Sequence, residues 1–375
     1  MLIWIDSSVL TADLSQDKNA CSGITEIFST AYRGEHFVLA ARKTLASLAA
    51  DVNLAAVTKT TIARIESNLS ILGNVESQIA TRVDVTYGMA TRPTKTAENR
   101  WEVPLSQIGI VGTKKSVLLT ENLDDARAYE HAARQYQVSL RLGGYIALEK
   151  AAGGGSTTSE VFENLVQQEN KWCLCITDTD RFCPEENMGP TSQKCNNIAQ
   201  GTGIVAKHID IKVRELENTI PLAFLEKAVP VTHSDLWAWH IKKLYSTRQE
   251  AHFYGDLKSG ITIKKLISYE KGTPRRNFWE SVLADLGPAP ALDIACAEMP
   301  DCRKNNQCLT PGEPCSCYIF PGFGEHLIDS VLSILGENSP HKSEERTRRD
   351  PHRQIWMDIG RLVFEWAYAP DMTRL

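Results

Sequence analysis

Two short apolar runs, each ending in acid, organise the middle of this chain. Ser116-Val-Leu-Leu-Thr120 reads as a buried strand, with Glu121 at its exit. From Asp124 the period changes: Ala126, Tyr129, Ala132 and Ala133 recur at three- and four-residue spacing, which predicts a helix. The second run, Trp172-Cys-Leu-Cys-Ile-Thr177, repeats the strand pattern and leads into Asp178-Thr179-Asp180. If the strand continues through that triplet, residues two apart share a face, and the two carboxylates lie roughly 6–7 Å apart. Earlier in the chain, Met1 to Asp6 and His36 to Ala40 predict strands, and Thr44–Leu54 and Val57–Ile79 carry helical spacing. The polar stretch Thr91–Val103 is expected to be an exposed connection or a strand-rimmed loop. Downstream, Ile209–Val213 predicts a strand, residues 233–245 a helix, Phe253-Tyr254 the end of an aromatic strand, and Trp356–Trp366 an amphipathic helix.

The expected fold class is therefore α/β, a mostly parallel sheet flanked by helices. An α/β region spans 1–112, a catalytic domain 113–270, and a Cys-rich, helical region 271–375. A chain of 375 residues has room for such a division. With 42% hydrophobic and 23% charged residues, the composition is that of an ordinary soluble globular protein. A net charge of −5 excludes a uniformly basic nucleic-acid binder but leaves room for a local basic groove. No apolar run is long enough to span a membrane and no signal peptide opens the chain, so no membrane association is expected. With ten cysteines and no secretory signal, a reducing cytoplasm is the expected compartment.

Several segments carry candidate chemistry. Two carboxylates forced together repel unless a cation lies between them, and oxygen-only donors suit Mg²⁺ or Mn²⁺. Asp124 and Asp125 fit either a metal site or the first turn of a helix, where carboxylates favour the positive end of the dipole. Gly153-Gly-Gly-Ser-Thr157 precedes a helix expected near Ser159. It reads either as a phosphate-binding turn or as a flexible loop with a cap. No Gly-Lys-Ser/Thr follows it, so an intrinsic ATPase is not expected. Glu215 and Glu217 would share a face if extended. His233 and His240, seven apart on the expected helix, could both face one metal or base, or serve as packing and capping residues. Asp256-Leu-Lys258, between two glycines, reads as a placed acid–lysine pair, and lysine is a compact cation suited to phosphate. Cys296, Cys302, Cys308, Cys315 and Cys317 fall within 22 residues rich in proline and glycine. They are either structural zinc ligands or a loop of thiols without paired knuckles. Arg346, Arg348, Arg349 and Arg353 form the most basic stretch, diluted by Glu344, Glu345 and Asp350 within a charged loop.

Over residues 114–260, the order strand, Glu121, helix, strand, Asp178-x-Asp180 resembles the TOPRIM domain of bacterial primases, topoisomerases and overcoming-lysogenization-defect (OLD) nucleases. Asp125, four residues after Glu121, Glu217 before Asn218, and Lys258 resemble features of the OLD-like branch. Asn122 stands where the family usually has glycine. The resemblance implies a Mg²⁺- or Mn²⁺-dependent nuclease with Glu121, Asp178, Asp180 and Lys258 as catalytic residues. Glu121, Asp125, Asp178, Asp180 and Glu217 would be the metal ligands. It also implies a DNA or RNA substrate and a role in bacterial phage defence beside a regulatory ATPase or other defence-system protein. The alternatives are an enzyme cutting transfer or ribosomal RNA, and a non-catalytic module that binds nucleic acid or a partner.

Overall fold

The computed structural model describes residues 1–88, 91–168, 170–201, 203–286 and 318–371. Contacts divide the chain into two units. Unit 1 comprises Met1–Thr177, Gln193–Ile209 and the stretch from Met357 onward; unit 2 comprises Asp178–Ser192 and Asp210–Trp356. The expected boundary at 112 thus falls inside unit 1, and that at 270 inside unit 2. The class is mixed α/β with mostly parallel sheets flanked by helices.

Unit 1 contains two sheets. The first has the order β2-β1-β3-β5-β4, from β1 (Leu2–Ile5), β2 (Phe37–Ala40), β3 (Arg82–Thr86), β4 (Thr94–Ala97) and β5 (Arg100–Pro104). All pairings are parallel except β4 with β5. The stretch 91–103, expected to be an exposed connection or a strand-rimmed loop, supplies β4 and most of β5. Periodicity failed there because β4 is exposed throughout, whereas Trp101 and Val103 of β5 are buried. Helices α1 (Lys18–Tyr32), α2 (Arg42–Ala50), α3 (Ala56–Ser67), α4 (Leu69–Glu76) and α5 (Leu105–Val111) complete this half. Helices α1 and α5 cross at two glycines. A Cβ on Gly109 would lie 1.8 Å from the Asn19 carbonyl oxygen, and one on Gly23 2.5 Å from that of Leu105.

The second sheet has the order β10-β9-β6-β8, from β6 (Ser116–Thr120), β8 (Leu148–Ala152), β9 (Cys173–Thr177) and β10 (Ala206–Asp210). A short pair, β7 (Tyr145–Ile146) with Tyr368–Ala369, stands apart from it. Strand β6 pairs in parallel with β8 and β9, with Thr120 opposite Ala152 and Leu119 opposite Cys175. Every residue of β6 and β9 is buried, as expected of parallel strands covered on both faces. Helix α6 (Leu123–Ser139) packs on β6 and β8, and α7 (Thr158–Val166) on β6 and β9. The core between them gathers Val117, Leu119, Phe162, Cys173, Cys175 and Ala206 with Cys195 of α8 (Pro190–Ala199).

Unit 2 is mainly helical. Its core holds Phe224, Leu225, Leu244, Trp279, Phe320, Phe323 and Trp356, and the helix Leu222–Ala228 packs on Leu327–Glu337. Three expectations fail here. The strand expected at 209–213 lies earlier, over Ala206–Asp210. Phe253 and Tyr254 belong to a helix, Gln249–Tyr254, and contact the rings of His352 and Phe278 respectively. The basic stretch begins as a helix, Pro340–Thr347, and Arg348 and Arg353 pair with Glu344 at 3.7 and 2.7 Å, so those charges are spent within the unit. The five cysteines between 296 and 317 lie outside the described residues. Among the described residues, no helix is long and apolar enough to cross a membrane.

Candidate active site

Strand β9 ends at Thr177, and the chain then turns. Asp180 has φ +56°, in the left-handed region, so strand alternation does not carry through Asp178-Thr179-Asp180. The triplet is fastened instead to the segment Val213–Leu216 of unit 2. Thr179 N and Asp180 N both donate to Arg214 O at 3.1 Å, and Thr179 Oγ1 donates to Val213 O at 2.6 Å. Leu216 N donates to Asp178 Oδ1 at 3.1 Å. One Asp178 oxygen is thereby oriented by a backbone donor, and the carboxylate faces the segment that carries Glu215 and Glu217.

That segment is not extended. Leu216–Thr219 forms a 3₁₀ turn capped reciprocally by Glu215 and Asn218, and the Asn218 amide donates to His252 O at 2.6 Å and Gly255 O at 2.9 Å. These bonds tie the turn to the loop that carries Asp256 and Lys258. Asp256 Oδ1 accepts from Lys258 N and Ser259 N at 3.1 and 2.7 Å, an Asx-type turn that fixes the lysine's backbone. Lys258 Nζ then lies 3.2 Å from Glu217 Oε1 and 3.4 Å from Glu215 Oε2. Burial disfavours the charge on Lys258, yet the carboxylates of Glu217, Glu215 and Asp178 hold its pKa above the ordinary lysine value. Glu217 is 3% exposed, and burial raises its pKa while Lys258 opposes the rise. Asp178, Glu217 and Lys258, spread over some eighty positions, are thus gathered within one unit.

A second, fixed cation completes the cluster. Arg214 bonds Glu215 Oε1 at 2.7 Å, lies 3.6 Å from Asp256 Oδ2, and stacks on Phe182 at 3.7 Å. Arg275 covers Phe182 as well, at 4.1 Å. Neither Arg214 nor Phe182 carried a signal by spacing, since their meeting depends on how the loop after Asp180 folds back.

Glu121 and Asp125 belong to unit 1. Glu121 follows β6, whose neighbour β9 leads into Asp178, so both acids follow the carboxyl ends of adjacent parallel strands. The glycine turn lies beside Glu121: Gly154 N donates to Glu121 O at 3.0 Å, and Gly154 and Gly155 take left-handed φ of +77° and +66°. Asp125 acts as a cap. Its Oδ2 accepts from Asn122 N at 3.0 Å, while the Asn122 side chain accepts from the Asp125 backbone N–H. The helical-turn alternative for Asp125 therefore describes its position. His240 does not meet His233. It contacts His252, Nε2 to Nδ1 at 2.9 Å, and the His252 ring lies tilted against that of His352 with centroids 4.5 Å apart, all three fully buried.

No family model, curated protein or solved structure matches this chain. The site therefore stands on its own chemistry. The donors around Lys258 are carboxylate oxygens, the set a hard divalent cation takes, and Glu215 Oε2 is buried without a hydrogen bond. As placed, no group of three or more His, Cys, Asp or Glu side chains among the described residues could hold an ion. Mg²⁺ is commonly bound through only one or two carboxylates, with waters and substrate phosphates completing its shell, and that smaller demand fits this donor set.

Proposed function

We propose that this protein is a divalent-metal-dependent nuclease, hydrolysing phosphodiester bonds of DNA or RNA with TOPRIM-like chemistry. The observation that carries the reading is the gathering of Asp178, Glu217 and Lys258 in one unit, held by Leu216 N, the Glu215–Asn218 cap and the Asp256 turn. The order of the second sheet supports it, because the strands preceding Glu121 and Asp178 are neighbours. Within unit 2, Asp178 and Glu217 are the residues that would hold Mg²⁺ or Mn²⁺; roles for Asp180, Glu121 and Asp125 as further metal acids rest on the resemblance. Bound there, the ion supplies Lewis acidity and lowers the pKa of a coordinated water. Lys258 neutralises charge developing on the phosphate, and Arg214 holds Glu215 in place. A role as a phage-defence effector restrained by a regulatory ATPase or other partner belongs to the same proposal, and rests on the resemblance.

Asp178→Asn tests it. The substitution keeps an oxygen for Leu216 N and removes the charge, so the fold should hold. Cleavage of DNA and RNA substrates with Mg²⁺ or Mn²⁺, by chain freed of any partner, should fall on the order of a hundredfold or more. Equal cleavage by both proteins would assign the activity elsewhere. No cleavage by the wild type on any substrate would favour a binding module.

A further inference from the structure

The two cations that meet Glu215 and Glu217 are held in different ways. Arg214 is fixed: its side chain is 8% exposed, it bonds Glu215 at 2.7 Å, and it is stacked on Phe182. Lys258 is not. Its side chain is 30% exposed, and its ion pairs of 3.2 and 3.4 Å are longer than the roughly 2.7–2.9 Å of a strong charge-assisted bond. Its backbone is anchored by Asp256, but the side chain has four rotatable torsions between Cα and the ammonium, so the head group can leave without disturbing the loop. The carboxylates it serves cannot leave. Glu217 is buried, Glu215 caps the 3₁₀ turn, and Glu215 Oε2 has no hydrogen bond to replace the lysine. A buried carboxylate is costly when charged without a cation beside it; Glu215 has Arg214 on its other oxygen, whereas the cation on Glu217 is Lys258, which is tethered loosely.

We infer that Lys258 is an exchangeable counter-ion. Its ammonium neutralises Glu217 and the free edge of Glu215 until a divalent cation takes the Glu217 carboxylate, and the displaced ammonium then becomes available to a phosphate of the substrate. This deepens the reading of the same site as a metal-dependent nuclease and rests on it. It gives Lys258 two positions, one on the carboxylates and one towards substrate.

The test uses the full chain and Mn²⁺ alone as probe. In Lys258→Met, titration followed by calorimetry or electron paramagnetic resonance should show Mn²⁺ binding at least about tenfold tighter than in wild type, because the competing charge is gone. The same variant should melt at lower temperature in chelator and recover with Mn²⁺ by more than wild type does. Lys265→Met is the control, since Lys265 pairs with Asp256 at 3.8 Å and lies over the Phe182 ring; its Mn²⁺ affinity should be unchanged. A measurement on wild type avoids any folding defect of the variant: labelling of Lys258 by an amine-reactive reagent, read by mass spectrometry, should rise severalfold as Mn²⁺ saturates. Nuclease activity and Mn²⁺ binding, with Lys258 labelling constant and the variant binding no tighter, would overturn the exchange and leave the nuclease reading standing. Absence of Mn²⁺ binding in every protein would overturn both.

Discussion

Asp180 shows how one residue can carry a conformational and a chemical demand together. Its φ of +56° is costly for most side chains, and aspartate and asparagine are among the few non-glycine residues that tolerate it. Asp180→Asn should therefore keep the turn and remove the charge, whereas Asp180→Val should lose about 1–2 kcal/mol of stability through backbone strain. Urea unfolding of the two variants beside wild type separates these effects; a Val variant as stable as wild type would show that the turn relaxes freely. If Asp180 also serves the metal, Asp180→Asn should lose cleavage with its unfolding midpoint intact. Hydropathy alone marked the triplet as the exit of a strand. It carried no sign that the chain turns at Asp180, because that depends on the bonds from Thr179 and Asp180 to Arg214 O.

At the scale of elements, α6 is held by its cap. Asp125→Ala removes the acceptor for Asn122 N and should cost about 1 kcal/mol, while Asp125→Asn retains an oxygen and should cost less. A cleavage defect in Asp125→Asn without a stability defect would reveal a second role for this carboxylate; thermal melts and activity measured on the same samples decide it. The α1–α5 crossing is tighter still. Gly109→Ala places a methyl 1.8 Å from the Asn19 carbonyl oxygen, which backbone cannot easily yield, and should destabilise unit 1 by about 1–3 kcal/mol or more. Alanine at Gly73, which meets nothing within 4 Å, is the matched control in the helix Leu69–Glu76 and should be neutral or slightly stabilising. Neither α1 nor α5 was expected from the sequence. Nor was their contact, since a glycine within an apolar pattern gives no indication of what approaches it.

Across the whole molecule, buried histidines set the response to acid. Burial pushes His36 in unit 1 and His240 in unit 2 down to about 3, and His252 also lies well below the ordinary value. The unfolded chain takes up protons near pH 6.5 that these folded imidazoles refuse, so stability falls as pH drops from about 6.5 towards 3. Each contributes up to about 1.4 kcal/mol per pH unit in that window, and Glu217, with its pKa raised by burial, acts in the opposite sense. Urea midpoints should fall between pH 7 and pH 5 in both units; a flat profile would mean that the imidazoles reach solvent. The amino-acid sequence by itself determined the strands and helices whose side chains repeat with a single period: β6, β9, α6, α7 and the helix through Trp356–Trp366. It also marked Glu121, Asp178 and Lys258, because charge at the end of an apolar run or between glycines has no packing reason to be there. Only the tertiary structure decided which of these meet. Lys258 reaches Glu217 because Asn218 binds the carbonyls of His252 and Gly255, and His240 reaches His252 and His352 rather than His233. Such contacts join residues far apart in the chain through polar groups that must be satisfied once buried, and periodicity holds no record of them.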